Sequence, residues 1–499
     1  MRSAVALLSG GVLALAFEPV GLAILLPVGV AGLVLSVHGL GARRAWLPGL
    51  FFGIGFQGVL LFWLRVVGYD AWGALAGLQA AFYAPLGAAV PSLLRLRFGP
   101  VWVAAAWVAV ETIRSSWPFG GLPWGRLAYA TAGTPWAESL PYIGMAGASF
   151  VLALLGGLLA QAVAADGGRR RAVIVLGATA VVSLAPALAT YDVTPVGERT
   201  VAVVQGDVPG DGSNILLDHR QVTSNHVEAT VDLARRVAAG EAEQPDFVVW
   251  PENSTAVDPF ATDDINTGIT TASAAVDVPI VVGAMVDAGP ENVLNQSIVW
   301  EPGTGGGDRY SKRHPVPFGE YIPWRSVFRN SFGRLEMIPR DMLSGTRVEP
   351  LDVDGARVAA AICFDVAYDD GIHDQISAGG QLLTVQTSNA MFIRTGQIEQ
   401  QFEISRVRAM ETGRATLVAA TNGVSGIIAP DGTVVERAEI RTRSVLESEV
   451  PLVDTLTPAV LMGAWPGRVA VAATLLGLLL PALTYRRRHR QEPGEEAIR

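Results

Sequence analysis

The chain has 499 residues, 50% of them hydrophobic and 17% charged, and its mean hydropathy of +0.36 excludes a disordered, fibrous or disulfide-stapled protein and points to a membrane-embedded one. One cysteine, Cys363, permits neither an internal disulfide nor a cysteine-based metal site, and a net charge of -9 argues against a nucleic-acid partner. Of 37 basic residues one is lysine, Lys312, which leaves 36 arginines (37 minus 1).

Charge placement divides the chain. Residues 1–191 carry only five acidic side chains, Glu18, Asp70, Glu111, Glu138 and Asp166, whereas charge is dense over 192–457. Uncharged runs occupy 3–17, 19–42, 45–64, 71–94, 98–110, 139–165 and 172–191, and another occupies 469–485. A hydrocarbon core about 30 Å thick takes roughly 20 apolar residues as helix, so most runs reach spanning length while the first and fifth are marginal. The pattern predicts a membrane domain of seven helices over 1–191, a separate domain over 192–457, a C-terminal spanning helix over 458–485 and a basic tail over 486–499, with about eight spanning helices in all. The first run also has the length of a signal peptide. Glu18 and Pro19 follow it without a small-residue cleavage pattern and the next run begins at once, which favours an uncleaved hairpin. Arginines cluster at Arg2, at Arg43 and Arg44, at Arg95 and Arg97, at 169–171 and at 486–490. Eight helices put all five clusters on one side, which the positive-inside rule makes cytoplasmic. Both termini are then cytoplasmic, and residues 192–457 are extracytoplasmic.

That outer domain alternates β-branched runs with helical stretches. VAVVQGDV at 201 precedes a helix near 223–239, DFVVWPEN at 246 precedes one near 264–276, and VPIVVGAM follows at 278. ARVAAAICFDV at 356, QLLTVQTSNA at 381, a helix near 397–413 and the hairpin-like TLVAATNGVSGIIAPDGTVV complete an α/β layered pattern. The glycine-rich EPGTGGGDRY at 301 lacks a phosphate-loop spacing and reads as a surface loop.

Three residues of this domain occupy positions where reactive groups sit. Glu252 follows the run FVVWP, Cys363 ends VAAAI, and Lys312 lies in the turn-rich YSKRHPVPFGEYIP. A thiol needs a base or a nearby cation to react as thiolate, and a glutamate with a lysine supplies both. A lone cysteine is equally at home as inert core, and strand-end glutamates are usually solvated. The solitary lysine shifts the balance, because a compact single-point donor is what lysine offers and arginine does not. No histidine cluster suggests a metal, and no cofactor motif is present.

WPEN around Glu252, the lysine of YSKRHPVPFGEYIP and ICFD around Cys363 resemble, in that chain order, the Glu-Lys-Cys triad of the nitrilase (carbon-nitrogen hydrolase) superfamily. With FFGIGFQGVLLFWL, the helix end ETIR and GLPWGRLAY, nearly the whole chain resembles the apolipoprotein N-acyltransferase family; PFGEYIP at 317–323 is the most specific segment. The resemblance implies a bacterial multi-pass cell-membrane enzyme with an αββα nitrilase-like domain. It implies that Cys363 takes an acyl chain from a membrane phospholipid as a thioester, with Glu252 as general base and Lys312 holding the oxyanion. The acyl chain then passes to the α-amine of a diacylglyceryl-cysteine lipoprotein, with no cofactor and no nucleic acid.

The resemblance also assigns supporting roles to Glu320, Asn389 and Arg329, and to Phe364 and Asp365 after the cysteine, where the family often has an aromatic residue and a glutamate. A tryptophan common in the family's first loop is absent from QGDVPGDGSNILLDHR, and Met391 stands where another aromatic is frequent. Both departures bear on acyl-chain contacts. Glu111 and Arg114, three apart on one helix, read either as a functional intramembrane pair or as a mutual pair that anchors the loop WPFGGLPW, with Trp117 and Trp124 as interfacial anchors. Two rival readings remain: a membrane-tethered amidase that uses water as its second nucleophile, and a non-catalytic lipid- or lipoprotein-binding homologue.

Overall fold

Every uncharged run contains helix, but proline and glycine decide how much of it. The computed structural model describes residues 1–164, 177–188, 190–215, 218–326, 335–336 and 338–490. Helices α1 (Arg2–Ala14), α2 (Leu25–Val37), α3 (Ala42–Leu60), α4 (Tyr69–Ala81), α5 (Tyr83–Leu93), α6 (Gly99–Arg114) and α7 (Leu140–Val163) are followed by helical residues 177–184. The run 71–94 breaks at Phe82 because Pro85 has no N–H to give the Ala81 carbonyl. The spans Tyr69–Leu93 and Ala137–Val163 are long and apolar enough to cross a bilayer by length and composition, while Arg2–Ala14, Leu25–Val37 and Trp465–Leu480 are apolar and shorter.

The chain divides into two compact units: Met1–Ser139 with Met145–Ala189 and Ala464–Arg499, and Leu140–Gly144 with Thr190–Gly463. In the first, Phe52, Phe56, Tyr83 and Trp107 interlock edge-to-face or tilted, with centroids 5.6 to 6.4 Å apart. Glu111 and Arg114 both reach the loop, yet no mutual ion pair forms among the described residues. Glu111 Oε1 accepts from Trp107 Nε1 at 3.0 Å and Leu127 N at 2.9 Å, and Arg114 Nη1 donates to Leu122 O at 3.0 Å and Trp124 O at 2.6 Å. The loop backbone competes successfully for both charges. Trp124 is buried beside Trp63 (centroids 5.8 Å apart) and so is no interfacial anchor, whereas Trp117 is exposed.

The second unit is built on two sheets. Strands β1 (Gly197–Gln205), β2 (Phe247–Val249), β3 (Ile280–Asp287), β4 (Asn292–Glu301), β5 (Gly305–Ser311) and β13 (Ser444–Leu452) form the first in the order β13-β1-β2-β3-β4-β5, with β6 (Asp341–Met342) beside β4. The second runs β12-β11-β10-β9-β8-β7, where these are Val434–Arg437, Gly426–Ile428, Thr416–Ala420, Leu382–Thr387, Ala356–Ile362 and Leu351–Val353. Val201, Val203, Phe247, Val249 and Val281 of the first sheet meet Val358, Ala360, Ile362, Leu417 and Ile427 of the second in one apolar core. Burying one such side chain contributes roughly 1.5 to 3 kcal/mol, which holds the sheets face to face. The opposite face of the first sheet, including Val204, Val248 and Ile280, packs on α8 (His219–Ala238) and α9 (Asp263–Val276). Helices α10 (Asp369–Ser377) and α11 (Gln397–Thr412) cover the second, giving four layers, αββα. A short α12 (Pro458–Met462) precedes α13 (Trp465–Arg490), so the basic residues from 486 to 490 continue a helix.

One expectation fails here. The patch at 301–310 is the turn and start of strand β5, with Glu301 paired to Gly305. Glycine serves packing there: a Cβ on Gly306 would lie 2.7 Å from the Phe260 ring, which stacks on Trp300 with centroids 5.6 Å apart.

Candidate active site

The two sheets end in the same place. Beneath that convergence, Gln386 at the end of β9 donates through Nε2 to Trp250 O (2.5 Å) and Val281 O (3.1 Å) and accepts a very short hydrogen bond from the Ser297 hydroxyl. A buried amide with both ends satisfied stitches one sheet to the other. Immediately above it, the chain leaves β2 through Trp250 and Pro251 to Glu252, which crosses Gly283 of β3. A Cβ there would lie 2.2 Å from Pro251 O and 2.7 Å from Glu252 Cα, so only glycine permits the crossing. Thr421, beyond β10, donates its hydroxyl to Glu252 O at 3.0 Å.

Lys312 follows β5, its N–H donating to Asn295 O at 2.8 Å, and its side chain is wholly buried. Cys363 follows β8 with φ 53°, a left-handed conformation that costs a non-glycine residue of order 1 kcal/mol or more. It turns the half-buried thiol out of the strand into a 3-10 turn, Cys363–Ala367.

Lys312 Nζ lies 3.3 Å from Glu252 Oε1 and 2.6 Å from Glu320 Oε1. Glu252 is fixed further by Asn295 Nδ2 on Oε1 (2.7 Å) and by Ser388 N on Oε2 (2.7 Å), and Glu320 Oε2 accepts from Val316 N at 2.7 Å. Burial works against the Lys312 charge, but Glu252 and Glu320 outweigh it and hold the ammonium well above its usual range. Burial first, then Glu252, pushes the Cys363 thiol up to about 12 despite the opposing pull of Lys312. Burial also raises the Glu320 carboxyl against the pull of Lys312. The resting cysteine is therefore a neutral thiol beside a fixed ammonium, and the arrangement suits general-base attack rather than a preformed thiolate.

Asp365 ties the lysine segment to the cysteine turn. Its Oδ2 accepts from Tyr310 OH (3.1 Å) and Arg313 N (3.2 Å), and its Oδ1 accepts from His314 N (2.8 Å). Phe364 meets Tyr368 edge-on at 5.2 Å, and Tyr368 stacks on His314 at 3.8 Å. Asn389 donates from Nδ2 to Gly423 O at 3.0 Å. Met391 is exposed, and Arg329 lies outside the described residues. The sequence reading missed Asn295 and Ser388, one an amide in mid-strand and the other acting through its N–H; neither leaves a compositional signal. Among the described residues no group of three or more His, Cys, Asp or Glu side chains is arranged to hold a metal.

Residues 9–158 match the family model for the apolipoprotein N-acyltransferase N-terminal domain, and residues 200–456 match that for carbon-nitrogen hydrolase. The chain is 35% identical over 459 residues to an apolipoprotein N-acyltransferase of Mycolicibacterium smegmatis, covering 87% of this chain and 77% of that one. It is 30% identical over 500 residues to one from Methylococcus capsulatus, covering 96% of each.

Proposed function

The chain belongs to the apolipoprotein N-acyltransferase family, an acyltransferase with a carbon-nitrogen hydrolase domain, and from that premise we propose how its own residues carry the transfer. Cys363 Sγ attacks the ester carbonyl of a membrane phospholipid while Glu252 takes the thiol proton. The Lys312 ammonium stabilises the developing oxyanion, and Glu320 holds that ammonium in place. Collapse expels the lysophospholipid, which takes the proton from Glu252, and leaves an acyl thioester on Cys363. The α-amine of a diacylglyceryl-cysteine at a lipoprotein N-terminus then attacks the thioester and gives its proton to Glu252. Departing sulfur recovers that proton, and the thiol is restored.

The observation that carries this reading is the single lysine held between two carboxylates beside the single cysteine. Asp365, Asn389 and Phe364 take supporting places in this reading, which their contacts favour, and Arg329 takes one from the sequence. Residues 1–191 and 458–485 supply about eight spanning helices in this reading, with 192–457 extracytoplasmic, 486–499 a cytoplasmic tail and both termini cytoplasmic. The five arginine clusters on one side of that arrangement support it. Both substrates are then bilayer-anchored, which accounts for a catalytic domain borne on membrane helices.

Incubating detergent-solubilised protein with phospholipid and a synthetic diacylglyceryl-cysteine peptide tests the reaction. N-acylated peptide and lysophospholipid should appear in equal amounts. Release of free fatty acid with the peptide untouched would instead indicate a hydrolase.

A further inference from the structure

Thr387 ends β9, fully buried, next to the point where the chain leaves β8 for the cysteine. The parallel pairing of β8 and β9 ends with Ile362 opposite Gln386, so Cys363 and Thr387 are the residues that leave the two strands side by side. The Thr387 hydroxyl also acts on the thiol as a hydrogen-bond donor, drawing its proton affinity down against burial and Glu252. Behind Thr387 runs a chain of buried amides. Gln397 Nε2 donates to Gln401 Oε1 at 2.7 Å, and Gln401 Nε2 donates to Thr387 Oγ1 at 3.0 Å. The Thr387 hydroxyl lies 3.1 Å from Asn389 Oδ1, and Asn389 in turn is anchored through Nδ2 to Gly423 O at 3.0 Å.

Counting protons makes the consequence plain. A threonine hydroxyl has one proton to give and two lone pairs to accept with. One lone pair is committed to Gln401, so the proton has two destinations, Asn389 Oδ1 or the Cys363 sulfur. While the sulfur holds its own proton, the amide oxygen is the better acceptor. Once Glu252 has taken the thiol proton, the thiolate is charged and becomes the stronger one.

We propose that Thr387 is a further catalytic residue, whose hydroxyl turns from Asn389 to donate to the Cys363 sulfur whenever that sulfur carries negative charge. This happens twice per turnover, during attack on the donor ester and during departure from the thioester. No proton is transferred by Thr387, no bond to it forms or breaks, and Glu252 remains the base. Gln401 and Asn389 are positioning residues, since a hydroxyl gripped from behind by one amide and from the side by another has only these two directions open. The inference rests on reading Cys363 as the nucleophile, but its test does not require acyl transfer to occur.

Because Cys363 is the only cysteine, alkylation by iodoacetamide followed by intact mass reports on that sulfur alone. The rate is followed from about pH 7 to about pH 10, where it tracks the small thiolate fraction. Thr387→Val, which keeps the shape and removes the hydroxyl, should lower the whole profile about 10- to 100-fold, the loss expected for a hydrogen bond to a charged group. Thr387→Ser should restore it to within about 3-fold of wild type, because the serine hydroxyl fills the same position. Single-turnover thioester formation should follow the same order. If Thr387→Val does not fold, Thr387→Ala relieves the crowding and is read in the same way. A wild-type alkylation profile in the folded Val or Ala variant overturns the proposal, as does a Ser variant as slow as Val. Should Cys363→Ala still transfer acyl chains, the reading of the nucleophile fails instead, whatever the alkylation profiles show.

Discussion

Two of the places where the molecule buries an acid near a base, Glu111 with Arg114 and Glu252 with Lys312, differ in what surrounds the charges. Glu111 and Arg114 sit three apart on α6, the spacing of a helical ion pair, yet each hydrogen-bonds to the backbone of the loop at 122–127 and to a neutral side chain, Trp107 or Gln79, rather than to the other. Glu252 and Lys312 are 60 residues apart, come from different strands and meet at 3.3 Å, with a second carboxylate on the lysine and a thiol beside them. Buried charge by itself therefore does not identify a reactive centre. What separates the two is the convergence of a thiol, an ammonium and two carboxylates, against charges whose hydrogen bonds go to loop main-chain groups and to neutral side chains.

Substitutions sharpen that contrast in order of expected effect. Glu252→Gln should abolish thioester formation, a loss of about 10²- to 10⁴-fold for a missing general base. It should at the same time ease ionisation of Cys363, because the Glu252 charge is second only to burial in holding that thiol up. Iodoacetamide alkylation should therefore speed up as acylation collapses, and a slower alkylation would contradict the assigned electrostatics. Lys312→Arg comes next. The planar guanidinium does not fit between Glu252 and Glu320 as a compact ammonium does, and loss of an oxyanion donor costs about 10²- to 10³-fold in single-turnover acylation. A rate within a few-fold of wild type would remove Lys312 from the site.

Asp365→Asn is expected to be milder. An amide offers one acceptor oxygen where the carboxylate now serves Tyr310, Arg313 and His314, so at least one donor loses its partner at about 1 to 3 kcal/mol, read as a lower melting temperature. The smallest effect should come from Glu111→Gln, whose remaining oxygen still accepts from Trp107 and Leu127. Thioester formation should stay within a few-fold of wild type, and a collapse there would break the distinction between the two clusters.

The sequence singled out the residues that the structure brings together because two of them are unique in this chain, one lysine and one cysteine, and the third is a glutamate shortly after an apolar strand. The alternation of apolar runs likewise disclosed most strands and helices near where they lie. What stayed hidden depends on partners far along the chain. Strand β13 pairs with β1 from Gly197 opposite Leu452 onward, and no local pattern announces that register. The glycines of β5 looked like a loop because their role, making room for Phe260 over Trp300, is visible only in packing. Asn295, Ser388 and Thr387 act through an amide, a main-chain N–H and a hydroxyl, groups that any strand carries in plenty. The i,i+3 spacing of Glu111 and Arg114 misled because it says nothing about the loop that competes for both.

The central claim is that Cys363 carries the acyl chain, and intact-protein mass spectrometry after incubation with phospholipid alone tests it most directly. Wild-type protein should gain the mass of one fatty acyl group, lose it to neutral hydroxylamine and release lysophospholipid in equal amount, while Cys363→Ala should do none of these. An acyl adduct on the Cys363→Ala protein, or N-acylated peptide formed by it at the wild-type rate, would contradict the account.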